Sequence, residues 1–366
     1  MDFRLTPEQE QIRQAVREVC KSFPGEYWQK LDRELTYPTE FIDALTEGGW
    51  LAALIPEEYG GIGLGVLEAS LILEEINRSP GSSGVCHAQM YVMGTLLRHG
   101  SEEQKRRFLP AIARGELRLQ AFGVTEPEAG SDTTKLRTFA RREGDRYVVH
   151  GQKVWISRTE HSDLMLLLVR TTPADEVVKK TEGLSVLLVD LDRAIGHGIT
   201  VRPIRTMMNH HSCELFIDGL EVPAENLIGE EGRGFRYILD GMNAERILIA
   251  AECIGDARFF LERASGYAKE RVVFGRPIGQ NQGIQFPLAL AHAHTEAADL
   301  MRFRAADRFD RGENAGADAN LAKLLAADAS WEAGNAALQT FGGFGFAAEY
   351  DIERKLRETR LYQVAP

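Results

Sequence analysis

The hydrophobic period changes twice along this chain, and few architectures accommodate such a switch. From residue 1 to about 120, apolar residues recur at helical spacing. Ile12, Ala15, Val16 and Val19 form one such set, and Phe41, Ile42 and Leu45 form another behind a cap candidate at Thr39. The pattern resumes over residues 67–76, after a glycine-rich break at 60–65. From about 121 to 228 the runs shorten to 147–149, 154–156, 164–169, 184–189 and 215–217. Turn pairs such as His150-Gly151 and Asp218-Gly219 separate them, as in a set of β-strands. Helical spacing then returns over 246–269, 282–311, 317–340 and 350–362, four long amphipathic segments with short connections. The expected fold class is α+β: an N-terminal α-helical domain (1–120), a middle antiparallel β-domain (121–228) and a C-terminal four-helix bundle (229–366).

A chain of 366 residues, 44% hydrophobic, has enough apolar material for two or three domains. Its net charge of −11 opposes polyanions, so neither nucleic acid nor an anionic membrane surface is an expected partner. Lys105-Arg106-Arg107 reads as the solvated face of a helix. Cys20, Cys86, Cys213 and Cys253 are scattered without a CxxC pair, which suits a reducing compartment. With no apolar run long enough to cross a bilayer and no signal-peptide pattern at Met1, a soluble cytoplasmic protein is expected. No metal site is expected. His210-His211 and the His292/His294 pair lack a carboxylate or cysteine at ligand spacing. The glycines at 60–65 lack the GxGxxG arrangement of a dinucleotide fold.

The chemistry concentrates in AFGVTEPEAGSD, residues 121–132. Thr125 and Ser131 offer hydroxyls that donate or accept, Pro127 fixes local geometry, and Gly130 permits close approach and a positive φ. Such a loop can bring backbone close to a flat, polar heteroaromatic ligand, with Trp155 as an aromatic wall on a neighbouring strand. Taken alone, the same residues also suit an ordinary turn between strands.

Together with Trp155-Ile156-Ser157, the loop resembles the acyl-CoA dehydrogenase family, whose signature is a TEPxAGSD loop followed by a Trp-Ile-Thr/Ser strand. DFRLTPEQ (2–9), PEEYGG (56–61), HGSEEQKRRFLPAIARGE (99–116) and RVVFGRPIGQNQ (271–282) are similar to family segments, in family order. The resemblance implies FAD held non-covalently between the β-domain and the bundle. Phe122, Val124, Thr125 and Ser131 match positions lining the isoalloxazine, with Trp155 and Ser157 on the adjoining strand. Thr125 would bond the ring edge, tuning its readiness to accept hydride, and Ser131 would also face the CoA. Arg271 and Gln282, with Phe274 between them, match residues that reach the FAD of a neighbouring subunit; a guanidinium suits a diphosphate because it stays charged and presents a planar fork. Gln339 and the Gly342-Gly343 corner match a further cross-subunit contact. A homotetramer, a dimer of dimers, is therefore implied.

Dehydrogenation of an acyl thioester needs loss of an α-proton and transfer of a β-hydride to flavin N5. The protein must supply a carboxylate in a dry site that raises its pKa. In most of the family that glutamate follows a tyrosine near the C-terminus. Aligning Arg357-Glu358-Thr359-Arg360 and Gln363 with the family's terminal helix puts Ala365 and Pro366 there instead. A second placement occurs in isovaleryl-CoA and long-chain acyl-CoA dehydrogenases, one residue before an arginine in the first bundle helix. Here that dipeptide is Glu245-Arg246, and SCELF at 212–216 also resembles the isovaleryl type. Glu245 is the candidate base, and Arg246 and Ser131 are the candidate substrate contacts. The competing reading of Glu245 is a salt bridge with Arg246 or Arg271.

Pro366 has no N–H to polarise the thioester carbonyl, as the family's backbone does at this position. A shifted register, a different carbonyl donor and a different reaction stay open, and so does a truncated chain. The expected function is FAD-dependent α,β-dehydrogenation of an acyl-CoA to a trans-2-enoyl-CoA, with branched or long acyl groups favoured. Electron-transfer flavoprotein is the implied acceptor. The alternatives are an oxidase, a monooxygenase or nitroalkane-oxidising enzyme on the same scaffold, and a catalytically silent flavoprotein that binds acyl-CoA.

Overall fold

The computed structural model describes residues 4–365. Six helices come first: α1 (Pro7–Lys21), α2 (Gly25–Glu34), α3 (Thr39–Glu47), α4 (Val66–Arg78), α5 (His87–His99) and α6 (Glu102–Ala113). α1 starts where Thr6 and Gln9 form a capping box ahead of Pro7, and α6 starts with the same device in Ser101 and Gln104. Thr39 does not cap α3, contrary to expectation. It is the first helical residue, and the N-cap is Pro38, which has no side-chain acceptor to offer.

The middle region holds β1 (Leu119–Gly123), β2 (Phe139–Glu143), β3 (Arg146–Ser157), β4 (Leu164–Arg170), β5 (Leu184–Asp190), the short α7 (Leu191–Ala194), β6 (Ile199–Ile204), β7 (Ser212–Pro223) and β8 (Leu227–Ile228). These strands form one eight-stranded sheet in the order β6-β7-β3-β2-β4-β5-β8, with β1 paired to β4. Most pairs are antiparallel, but β4 runs parallel to both β1 and β2, so the expected antiparallel sheet is mixed at its centre. β2 gave no apolar run to read, because Arg141, Arg142 and Glu143 are exposed while Ala140 is buried.

Alternation along β4 and β5 divides the interior. Leu164, Leu166 and Leu168, with Leu184, Val186 and Leu188, join the core shared with the flanking helices. Met165, Leu167, Val169, Leu187 and Val189 face a second core with Tyr147, Leu215 and Ile217.

The last part is helical: α8 (Gly234–Glu270), a small hairpin of β9 (Val272–Val273) and β10 (Arg276–Pro277), then α9 (Gln282–Asp310), α10 (Gly316–Phe341) and α11 (Ile352–Thr359). Three of these helices are long. The fourth is shorter than the expected 350–362, because Asp351 at φ 62° delays its start and a 3-10 turn over Arg360–Gln363 ends it.

Charged residues tie the helices together internally. Arg302 of α9 is fully buried and bonds Asp299 Oδ1 (Nη2, 2.5 Å), Glu74 Oε2 (2.9 Å) and Ser70 Oγ (2.8 Å). Arg258 of α8 completes the cluster by pairing with Glu74 and with Asp299 Oδ2 (2.7 Å). No helix among the described residues is long and apolar enough to cross a membrane.

Candidate active site

The loop after β1 is anchored from beneath. Glu126 and Ala129 exchange backbone hydrogen bonds (3.1 Å each), so Pro127-Glu128 forms the tip of a tight turn. The buried Glu126 carboxylate accepts from the backbone N–H groups of Arg137 (2.6 Å) and Thr138 (2.9 Å) and from Lys153 Nζ (2.9 Å). Burial alone would raise its pKa, but Lys153 and these donors outweigh that and lower it. Burial pushes Lys153 down to about 8. Lys153 also bonds Val124 O (3.1 Å), and the Val154 N–H bonds Thr125 O (2.9 Å), which clamps the loop to β3. The sequence reading missed this ion pair, although Lys153 stands beside the apolar run at 154–156 and Glu126 lies inside the signature.

The clamp frees the groups above it. The hydroxyls of Thr125, Ser131 and Ser157 make no side-chain hydrogen bond among the described residues, and Phe122 and Val124 are half-buried. Trp155 is 58% exposed at φ 63°, within a register shift of the β3–β7 pairing. A left-handed tryptophan in a strand is strained, and such strain clusters at ligand sites. Gly130 was expected to use a positive φ. It does not, and the space around its Cα is open. An exposed indole, unengaged hydroxyls and a rigid loop edge are groups that a flat, polar ring can meet.

Glu245 lies about three turns into α8. Its side chain is surrounded by protein yet keeps some accessible surface. It forms no ion pair among the described residues, so the salt-bridge reading with Arg246 or Arg271 does not hold. Desolvation raises its carboxyl to about 7; Arg246, the Tyr91 hydroxyl and Lys323 pull it down, while Glu252 pushes it up. Tyr91, on α5, meets Phe122 of β1 edge-on with ring centroids 6.4 Å apart. That contact links the carboxylate on the bundle to the strand that leads into the signature loop.

Arg246 bonds Asn243 Oδ1 (3.1 Å) and lines a cavity of about 350 Å³ with Asn320, Lys323, Leu324 and Tyr362. Lys323 also bonds Ala365 O. Pro366, on which the carbonyl-donor question turns, lies outside the described residues. Neither Tyr91 nor Lys323 carries a local sequence signal.

The remaining candidates gather at the far end of the bundle. Arg271 caps α8 and lies 5.7 Å from the Phe344 ring centroid. Phe274 is fully exposed, Gln282 and Gln339 are exposed at the start of α9 and near the end of α10, and Gly342-Gly343 follows α10. Gly342 has φ 59° and no atom near its Cα, a conformation that requires glycine. No hydrogen bond, ion pair or ring contact joins this group to the Phe122–Ser157 group among the described residues. His294 pairs with Glu332 (2.6 Å), and no cluster of potential metal ligands occurs among the described residues.

Comparison with known proteins is consistent along the whole chain. Residues 6–116, 121–220 and 232–365 match the acyl-CoA dehydrogenase N-terminal, middle and C-terminal domains respectively. An acyl-CoA dehydrogenase of Bacillus subtilis (strain 168) is 35% identical, covering 98% of this chain and 94% of that protein. The butyryl-CoA dehydrogenase structure from Megasphaera elsdenii superposes with a TM-score of 0.92 at 30% identity, covering 100% of this chain and 95% of its own. The FAD complex of PigA superposes with a TM-score of 0.91 at 27% identity, covering 100% and 95%.

Proposed function

From the premise that the chain belongs to the acyl-CoA dehydrogenase family, and is an oxidoreductase of that family, we propose that it converts an acyl-CoA thioester to the trans-2-enoyl-CoA with Glu245 as the base. The observation that carries this reading is the state of Glu245. It is an enclosed, unpaired carboxyl near pH 7, coupled through Tyr91 to the strand of the signature loop. A base works best when its pKa lies near the operating pH, and burial supplies that here. Glu245 accepts the C2 proton, and Arg246 and Lys323 favour its ionised form before substrate arrives.

The signature region suits FAD, which would supply the acceptor for the C3 hydride. Phe122, Val124, Thr125, Ser131, Trp155 and Ser157 would hold its ring, with Ser131 shared with the CoA. Arg271, Phe274, Gln282, Gln339, Gly342 and Gly343 would serve the flavin of a second copy, which is why they need not touch the first group. Self-association into a homotetramer agrees with the apolar side chains left exposed on the bundle, among them Phe286 and Leu324. Electron-transfer flavoprotein is the acceptor this reading takes from the family.

The test is an anaerobic titration of the yellow protein with a panel of acyl-CoA thioesters, following loss of the flavin band. Wild-type protein bleaches with at least one of them. E245Q keeps its FAD and loses about a hundred- to ten-thousandfold in the rate of bleaching. Near-normal turnover by E245Q would remove the assignment.

A further inference from the structure

Arg158 departs from the charge pairing found elsewhere in the core. It follows Ser157 directly and is 2% exposed. Its side chain makes no ion pair and no hydrogen bond among the described residues, and Nη2 is buried without a partner. The position is built: Arg158 has φ 58°, and its backbone N–H bonds His211 O at 2.8 Å. A buried guanidinium without an anion is costly enough that a chain retaining one needs a reason.

The charge of Arg158 has no ion-pair partner among the described residues. It acts on Tyr37, Cys86, Tyr91, His161 and His210. Burial, with Arg158 assisting, holds His161 down at about 4 and His210 well below the usual range, so these rings are neutral. Of the carboxylates whose charge reaches the same groups, Glu252 receives His87 Nδ1 at 2.6 Å on one oxygen while its Oε2 has no partner, Glu160 acts on His211, and Glu245 faces Tyr91. Other buried polar atoms here also lack partners, namely Gln120 Oε1, Thr159 Oγ1, Ser162 Oγ and His211 Nε2. The Tyr91 hydroxyl is subject at once to Glu245, Arg158 and Glu252, so the charge of Arg158 reaches the side chain that faces the candidate base.

We propose that Arg158 receives a carboxylate at the distal end of the acyl group, so that the substrate is the CoA monothioester of a dicarboxylic acid. The inference rests on the dehydrogenase reading above. A planar guanidinium matches a carboxylate with two parallel hydrogen bonds, and the neutral imidazoles and orphaned hydroxyls complete a polar floor that an alkyl terminus would leave unsatisfied. A site with unpaired buried donors rejects a ligand that lacks the matching acceptor far more strongly than an apolar pocket rejects a change of one methylene.

The experiment compares n-acyl-CoA probes with ω-carboxyacyl-CoA probes of matched length, from four to eight carbons, by anaerobic flavin bleaching. The expected kcat/KM favours one carboxylated probe by about a hundredfold or more. R158M is expected to collapse that ratio toward unity through KM, with FAD still bound, and R158K to retain part of it. Without ligand, R158M is also expected to melt at a higher temperature than wild type, since it removes an uncompensated buried charge. Equal or better bleaching by the n-acyl probes would overturn the role of Arg158 while leaving the dehydrogenase reading intact. A lowered melting temperature of R158M with the preference unchanged would overturn it as well. No bleaching by any thioester would sink both.

Discussion

Arg302 and Arg158 are both buried guanidinium groups, and their surroundings are opposite. Arg302 sits where α4, α8 and α9 meet, and its Nε, Nη1 and Nη2 are all engaged by Asp299, Ser70 and Glu74. Burial alone would raise Asp299, but Arg302 and Arg258 outweigh it and hold that carboxyl below its usual range. Around Arg158 and Glu245 the pattern reverses. Among the described residues the cation has no ion pair, the carboxyl is raised by burial, and several hydroxyl and amide oxygens have no partner. A closed network has no remaining valence for a ligand, whereas an open one is complete only when something binds. The first region therefore reads as architecture and the second as a receptor.

The contrast can be tested from both sides. The largest expected effect on stability lies in the paired region: R302M should lose about 3–5 kcal/mol in chemical denaturation, because it strands buried carboxylates. A loss under 1 kcal/mol would mean that the cluster relaxes and is not architectural. Glu245 should behave in the opposite sense. Its folded pKa of about 7 lies above the ordinary value of 4.5, so between those pH values the native state binds more protons than the unfolded chain. Stability therefore falls as pH rises from 4.5 to 7, the reverse of a salt-bridged carboxylate. E245Q removes that penalty, and the variant should gain about 2–3 kcal/mol over wild type at pH 8 and little at pH 4.5. Equal effects at both pH values would show that Glu245 is not raised.

Smaller effects concern tuning. With Glu245 as base, kcat/KM should rise with pH through an inflection near 7, the value to which burial brings this carboxyl. Lys323 lowers Glu245, so K323M should move that inflection to higher pH and cut the rate on its acid side about two- to fivefold. An unmoved profile would separate Lys323 from the base.

The fold was legible where pattern and burial agree. Each of the long helices α8, α9 and α10 contains most of its expected segment, and β4 and β5 match their apolar runs closely. β2 was hidden because its solvent-facing residues are charged, and the parallel pairings of β4 join strands that no local turn connects. At the candidate site, Glu245 was legible only through the resemblance, as the first residue of the Glu245-Arg246 dipeptide. Arg158 was not legible at all. An arginine that follows a strand reads as solvated until Tyr37, α5 and the His210-His211 loop close around it. Tyr91 and Lys323 lie on other helices, far from Glu245 in sequence, and only tertiary packing brings them together.

The Phe122–Ser157 and Arg271–Gly343 groups share no bond among the described residues of one chain, so a defect in one is expected to leave the other untouched. Two different inactive chains could then repair each other. In hybrids of E245Q with R271A, the first lends an intact Arg271 end and the second an intact Glu245. Random pairing of such chains as dimers would restore about one site in four, whereas centres complete within single chains would restore none.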